Sequence, residues 1–209
     1  MIGRGAPRPP AGDAGAWRLF VAVPLPPAVR DELAARTASL RTRRDAARWQ
    51  SPDTWHLTLR FLGDVPARNV PAITAGMRRA ARRIDPFPVE LRGSGSFGGG
   101  HRGRVLWIGV GRGAAELAAL ANALSEALSP ETAATEPGFR AHLTVAREAD
   151  PSLPAALATA LASGSDLTWL ADRLVLYRSH LGPGGARHEE CGTARLGTRA
   201  ADGTISEDE

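Results

Sequence analysis

Apolar positions along this chain follow two alternating rhythms. Short continuous or alternating runs suit strands, and they are separated by segments in which apolar residues return every three or four positions, as on one face of a helix. Leu19-Phe20-Val21-Ala22-Val23, ended by Pro24, predicts a strand buried on both faces, with the fold beginning at Arg18. Pro26 and Pro27 open a helix that carries Val29, Leu33, Arg36 and Leu40, with Asp31 and Glu32 expected in its first turn, where the dipole favours acids. Arg48-Trp49-Gln50 predicts a short strand, Ser51-Pro52-Asp53 a turn, and residues 55–62 a longer strand closed by Gly63-Asp64. A second helix is predicted over 66–84 through Val70, Ile73, Met77 and Ala81, with Pro71 tolerated only because it lies in the first turns.

Residues 87–91 predict another strand and 93–103 a Gly-rich loop. That loop lacks the Gly-Lys-Ser/Thr of a phosphate cradle and runs into a strand rather than a helix, so a plain hairpin connection is expected. Then follow a strand over 104–110, a helix over 114–128 with Leu117, Leu120, Leu124 and Leu128, and a loop over 129–138. Phe139-Arg140-Ala141 leads into a strand at His142. An Ala-rich helix over 153–161 precedes two strand pieces within 167–178, a turn at Gly182-Pro183-Gly184-Gly185, and a strand over 188–196 that closes a terminal hairpin. Residues 1–16 read as a disordered leader and 198–209 as a disordered acidic tail.

The element order repeats. His56-Leu57-Thr58 returns as His142-Leu143-Thr144, 86 residues on, and 38 residues before each His stands an Arg, Arg18 or Arg104, at the head of an apolar strand. Both halves, roughly 18–100 and 104–180, read strand, helix, loop, His-x-Thr strand, helix, strand. The expected fold is α+β: one bilobal domain over 17–197, each lobe a mostly antiparallel sheet with helices on its outer face, and a central cleft on an approximate two-fold axis.

Alternation along a strand puts His56 and Thr58 on one face and Leu57 and Leu59 on the other, and likewise His142 and Thr144 against Leu143 and Val145. Two such strands side by side bring two imidazoles and two hydroxyls around one cleft. Imidazole, with an ordinary pKa near 6.5, can take or give a proton at neutral pH, so the set is equipped for acid/base work at a phosphate ester. Arg60, two residues past Thr58, shares the cleft face on simple alternation, whereas Phe61 and Arg147, five past each His, fall on the opposite face unless the strands bend. For Phe61, core packing and a place at the cleft remain equal alternatives. His101, His180 and His188 show no metal-ligand spacing and are expected in surface or loop roles.

Composition narrows the partners. All 26 basic residues are Arg, against 22 acids, giving a net charge of +4. Guanidinium groups favour phosphate oxygens, but this charge is too small and dispersed to mark a nucleic-acid-binding protein by itself. The single Cys191 offers no disulfide framework or Cys-based metal cluster, and neither a signal peptide nor an apolar run long enough for a membrane span is present. A cytoplasmic protein, acting without a membrane and as a monomer, is the expectation.

Taken together, Arg18 to Val23, His56 to Gly63, Arg104-Val105-Leu106-Trp107, Phe139 to Arg147, and Tyr177-Arg178-Ser179 with Gly182-Pro183-Gly184-Gly185 resemble the two-histidine (2H) phosphoesterase superfamily. Within it the chain is most similar to the bacterial and archaeal RNA 2′,3′-cyclic phosphodiesterases, formerly called 2′-5′ RNA ligases. The resemblance implies one catalytic His-x-Thr per lobe, no metal and no cofactor. It implies hydrolysis of 2′,3′-cyclic phosphate ends of RNA or nucleotides to 2′-phosphomonoesters, with His56 as the acid for the leaving 3′-oxygen and His142 as the base for water. The residues themselves are indifferent to that order. Thr58, Thr144 and Arg147 would contact phosphate, and Phe61, with Tyr177, the nucleotide. Arg178 would lie near the cleft too. Ala141 departs from the family, which commonly has Pro there. Reversible 2′-5′ RNA ligation, hydrolysis of another small cyclic phosphate, and a non-catalytic nucleotide- or RNA-binding module are the alternatives.

Overall fold

The computed structural model describes residues 15–42, 46–98, 104–128, 138–162, 167–182 and 185–197. The expected leader and tail lie outside these residues apart from Gly15 and Ala16, as do 99–103 of the Gly-rich stretch, 129–137 of the following connection and the tip residues Pro183 and Gly184. In chain order the elements are β1 (Ala16–Pro24), α1 (Pro27–Arg41), β2 (Arg48–Trp49), a 3₁₀ turn (Pro52–Thr54), β3 (His56–Pro66) and, after a second 3₁₀ turn (Ala67–Asn69), α2 (Val70–Ala81). Then come β4 (Phe87–Phe97), β5 (Val105–Val110), α3 (Ala114–Leu128), β6 (His142–Arg147), α4 (Leu153–Leu161), β7 (Thr168–Ala171), β8 (Arg173–Gly182) and β9 (Gly185–Arg195).

Of the boundaries that differ from the sequence expectation, three have a clear local reason. Helix α1 starts at Pro27, so Asp31 and Glu32 fall in its second turn, past the unsatisfied N–H groups, and Glu32 instead pairs with Arg36 at 2.7 Å one turn on. Strand β3 does not close at Gly63: that residue adopts φ 72° opposite Leu19, beside a register shift, and the strand runs on to Pro66. Strand β4 absorbs Gly93 to Phe97 of the Gly-rich stretch, because Gly95 lies against the Trp107 indole of β5, where an added Cβ would collide with the ring.

All the strand ladders are antiparallel, in the order β7-β4-β5-β6-β3-β1-β8-β9, with β2 added to β6. The two His-x-Thr strands meet at the centre through the single pair Leu57–Leu143, both fully buried. On one side of this junction stand β3, β1, β8 and β9, backed by α2 and α3; on the other stand β6, β5, β4 and β7, backed by α4 and α1.

The sequence halves interleave across it. Strand β4 of the first half pairs with β5 of the second, and β8 of the second half pairs with β1 of the first. Leu33, Ile73, Met77, Ile108, Leu117, Leu124, Leu153 and Leu174 belong to one contiguous apolar core. Full burial of each such side chain contributes roughly 1.5–3 kcal/mol.

Candidate active site

One cleft, of about 910 Å³, contains both histidines of the repeat. The 3₁₀ turn Pro52–Thr54, whose first residue is the Pro of the predicted turn, presents the Thr54 carbonyl to the ring of His56 at 2.7 Å. The Arg140 carbonyl meets His142 in the same way, also at 2.7 Å. Arg140 is itself held by its guanidinium over the Trp107 indole, 4.2 Å from the centroid. A carbonyl only accepts, so in both cases Nδ1 carries the proton and donates it. That leaves Nε2 of each imidazole for acid/base exchange in the cleft. The same two-residue back-bond in both halves fixes tautomer and ring orientation together.

Extending the Leu57–Leu143 register by one residue sets His56 across from Thr144 and Thr58 across from His142. All four side chains line the cleft. Thr58 and Thr144 have no side-chain hydrogen bond among the described residues, so their hydroxyls are available to a ligand. Each imidazole packs against an aromatic: His56 against Phe20, with centroids 4.6 Å apart, and His142 edge-on to Phe97 at 4.9 Å.

The parity problem of Phe61 and Arg147 is resolved by a duplicated bulge. Along β3, Ala22 pairs with Thr58 but Val21 pairs with Arg60, leaving Leu59 as the extra residue. Along β6, Trp107 pairs with Thr144 but Leu106 pairs with Ala146, leaving Val145 as the extra residue. The two bulges are 86 residues apart, as the histidines are, and each shifts the facing of its strand by one. Phe61 therefore comes out 69% exposed on the cleft wall, and Arg147 joins it from the second strand. The same shift corrects the placement of Arg60, which is turned away from the cleft and only 4% exposed.

Tyr177 stacks on Phe20 at 5.3 Å and its ring lies 6.0 Å from that of His56, so it supports the wall from behind without lining it. Burial, with Glu190 beside it, pushes its hydroxyl up to about 12. Arg178 faces the other way and stacks on Trp17 at 4.1 Å, not on the cleft.

Several lining residues were not foreseen. Arg18 and Arg48 join Arg147 at the wall, and no carboxylate lines the cleft among the described residues, so its charge suits an anion. Arg48 is also shared with Glu148 at 3.3 Å. Most unexpected is His188 of β9, expected in a surface role: its ring lies 4.9 Å from Phe20 and 5.2 Å from His56. The β8–β9 hairpin brings it there by approaching the 3₁₀ turn before β3. The available signal was alternation along β9, which gives Ala186 and His188 one face; both line the cleft. His180, by contrast, pairs with Glu189 at 2.8 Å, and His101 lies outside the described residues.

Desolvation lowers the pKa of all three cleft histidines. His56 is pushed down to about 4 by burial, which the Thr54 hydrogen bond only partly opposes, with smaller contributions from His188 and His142. At His142 burial again leads, the Arg140 hydrogen bond opposes it, and the Arg140 charge adds to the lowering. Burial in the cleft thus favours neutral imidazoles, and a bound anion would favour their protonated forms.

Among the described residues no group of three or more His, Cys, Asp or Glu is placed to hold a metal, and no helix is long and apolar enough to cross a membrane. Comparison with known proteins agrees with the architecture. A curated RNA 2′,3′-cyclic phosphodiesterase of Aeropyrum pernix is 36% identical over 124 residues, covering 57% of this chain and 63% of that protein. One from Thermus thermophilus is 36% identical over 178 residues, covering 80% and 84%. For one from Geobacillus stearothermophilus the identity is 28% over 165 residues, 78% of this chain but only 52% of that protein. The chain thus spans between about half and two thirds of the length of some of these relatives. The crystal structure of Escherichia coli LigT in apo form superposes with a TM-score of 0.71 at 26% identity, covering 88% of this chain and all of that one. The sequence profile of the 2'-5' RNA ligase superfamily matches residues 22–183, and with the duplicated His-x-Thr strands meeting in one cleft, the chain belongs to that superfamily of two-histidine phosphoesterases.

Proposed function

We propose that this protein hydrolyses 2′,3′-cyclic phosphate ends of RNA or nucleotides to 2′-phosphomonoesters by metal-independent acid/base catalysis. The observation that supports this most is the pair of imidazoles, each with Nδ1 tied to a backbone carbonyl, flanking two threonine hydroxyls in a cleft lined by arginine. The names of the curated relatives point to the same substrate. A cyclic phosphate seated between the strands would lie within reach of Thr58, Thr144 and Arg147, whose donors stabilise the charge that builds on the non-bridging oxygens. Phe61 offers its exposed ring to a base.

In the reaction, one neutral imidazole takes a proton from water as the water oxygen bonds to phosphorus, and the other, protonated, delivers a proton to the 3′-oxygen as the P–O3′ bond breaks. The resemblance to the family favours His142 as the base and His56 as the acid. His56 is the more strongly desolvated of the two, so the acid role there requires the bound phosphate's negative charge to restore its proton. Substrate binding and charging of the acid are then one event. A monomeric enzyme goes with this reading, since both histidines come from one chain.

The test is incubation of the purified protein, in excess chelator, with RNA carrying a 2′,3′-cyclic phosphate end. A 2′-phosphate product is expected, and it should be lost in both His56→Ala and His142→Ala. Strict dependence on an added divalent metal, or full activity in either variant, contradicts the mechanism.

A further inference from the structure

Three histidines line the cleft, yet they meet their surroundings in two ways. Nδ1 of His56 and of His142 donates to a carbonyl. Nδ1 of His188 is buried and has no hydrogen-bond partner among the described residues. Its ring is packed edge-on against Phe20 and His56, and Tyr177 stands 6.2 Å away. A proton on that nitrogen would be a buried donor with nothing to receive it, which is costlier than a buried lone pair, and a full imidazolium would add a charge. The charged or titratable groups facing the ring are His56, Tyr177 and, along the hairpin, His180, none of which is an anion placed to offset such a charge.

We propose that His188 is a third ligand-binding histidine of this site, held as the neutral Nε2–H tautomer, which donates a hydrogen bond to an oxygen of the substrate's terminal sugar-phosphate on the His56 side. The contact with Nδ1 divides the three imidazoles into two kinds. Where a carbonyl takes the Nδ1 proton, Nε2 is left to exchange protons; where nothing takes it, Nε2 keeps the proton and becomes a fixed donor. His188 therefore contributes binding and orientation, not acid/base chemistry. It also ties the β8–β9 hairpin to substrate recognition, because Ser179, Leu181 and Ala186 of that hairpin line the same wall.

The inference rests on the proposed function for the identity of the ligand, and its test has a readout independent of turnover. In the native protein with no ligand, ¹⁵N NMR of the histidine side chains near pH 7 should show the Nε2–H form at His188 and the Nδ1–H form at His56 and His142. An Nδ1–H tautomer at His188, or an imidazolium there, overturns the proposal. Calorimetric titration with a nucleoside 2′-monophosphate, together with hydrolysis of a 2′,3′-cyclic nucleotide, is then compared in His188→Phe, which keeps an aromatic ring, and His188→Gln, whose amide nitrogen can occupy the place of Nε2. Phe should raise Kd and KM by about 5- to 30-fold with kcat within about threefold, and Gln should restore most of the affinity. Unchanged binding in the Phe variant overturns the proposal while leaving the proposed function standing. Wild-type protein that binds the monophosphate but turns over no cyclic phosphate overturns the proposed function, and the Phe and Gln comparison still reads His188 through Kd. A change in the limbs of the pH–rate profile of the Gln variant would instead make His188 a proton-transfer residue and also overturn the proposal.

Discussion

Burying His56 makes the folded state of this protein sensitive to acid in a way that can be measured without substrate. Unfolded, the imidazole titrates near 6.5; folded, it titrates at about 4. Between those values the unfolded chain holds a proton that the folded one refuses, so the stability associated with a neutral His56 is complete above pH 6.5 and is lost as pH falls towards 4. At pH 4.5 the loss amounts to about 2.5 kcal/mol, from the ratio of the protonation factors of the unfolded and folded states. The assay is urea unfolding of wild type and His56→Gln at pH 7.5 and 4.5. Other groups, including the depressed His142 and His188, remain in both proteins and cancel in the comparison. The wild type should lose about 2.5 kcal/mol more than the variant between the two pH values. Inorganic phosphate should shrink the difference by charging the imidazole in the folded state. Equal losses in the two proteins would refute the account of a desolvated His56.

Further expectations follow from the same geometry. Because burial depresses both imidazoles proposed for catalysis, the bell-shaped profile of kcat/KM, which reports the free enzyme's pair, should centre below pH 6.5, and that of kcat should lie at higher pH once a bound phosphate raises both. Parallel steady-state measurements across pH check this, and coincident profiles would contradict it. Arg147→Met should raise KM for a cyclic nucleotide about tenfold at low salt, with the effect fading as salt rises, while the melting temperature stays put, since the side chain is exposed. Leu57→Ala should cost roughly 2–5 kcal/mol in urea unfolding, because it opens a cavity at the buried ladder pair that joins the two central strands.

Much of the architecture could be read from the chain because its periodicities are strong. Helices α3 and α4 fall on the residues that spacing predicts, and the repeat of His-x-Thr correctly anticipated two equivalent strands in one antiparallel arrangement. What alternation could not supply was the position of the bulges. Nothing in Thr58-Leu59-Arg60 announces that Leu59 is the extra residue, and so simple alternation turns Arg60 towards the cleft and leaves Phe61 open between core and cleft. The place of His188 was hidden for a different reason. It depends on how far a long hairpin curls towards the turn before β3, a property of the folded sheet rather than of any local pattern. Arg18 was conspicuous as an anchor of the repeat, but only the assembled wall shows it beside the cleft.

The exchange of β4 and β8 across the junction bears on how such a chain can be divided. Cut between the halves, the first would keep β1 and β3 but lose the strand that covers β1, and it would carry β4 with no β5 to pair with. Each half has what the other lacks. Two copies of one half would meet both needs by trading their third strands about a two-fold axis, a self-complementary and closed arrangement. The present chain has the form of such a strand-swapped dimer joined in one chain, with Leu57 and Leu143 paired where the two central strands meet and His56 and His142 each next to one of them in sequence.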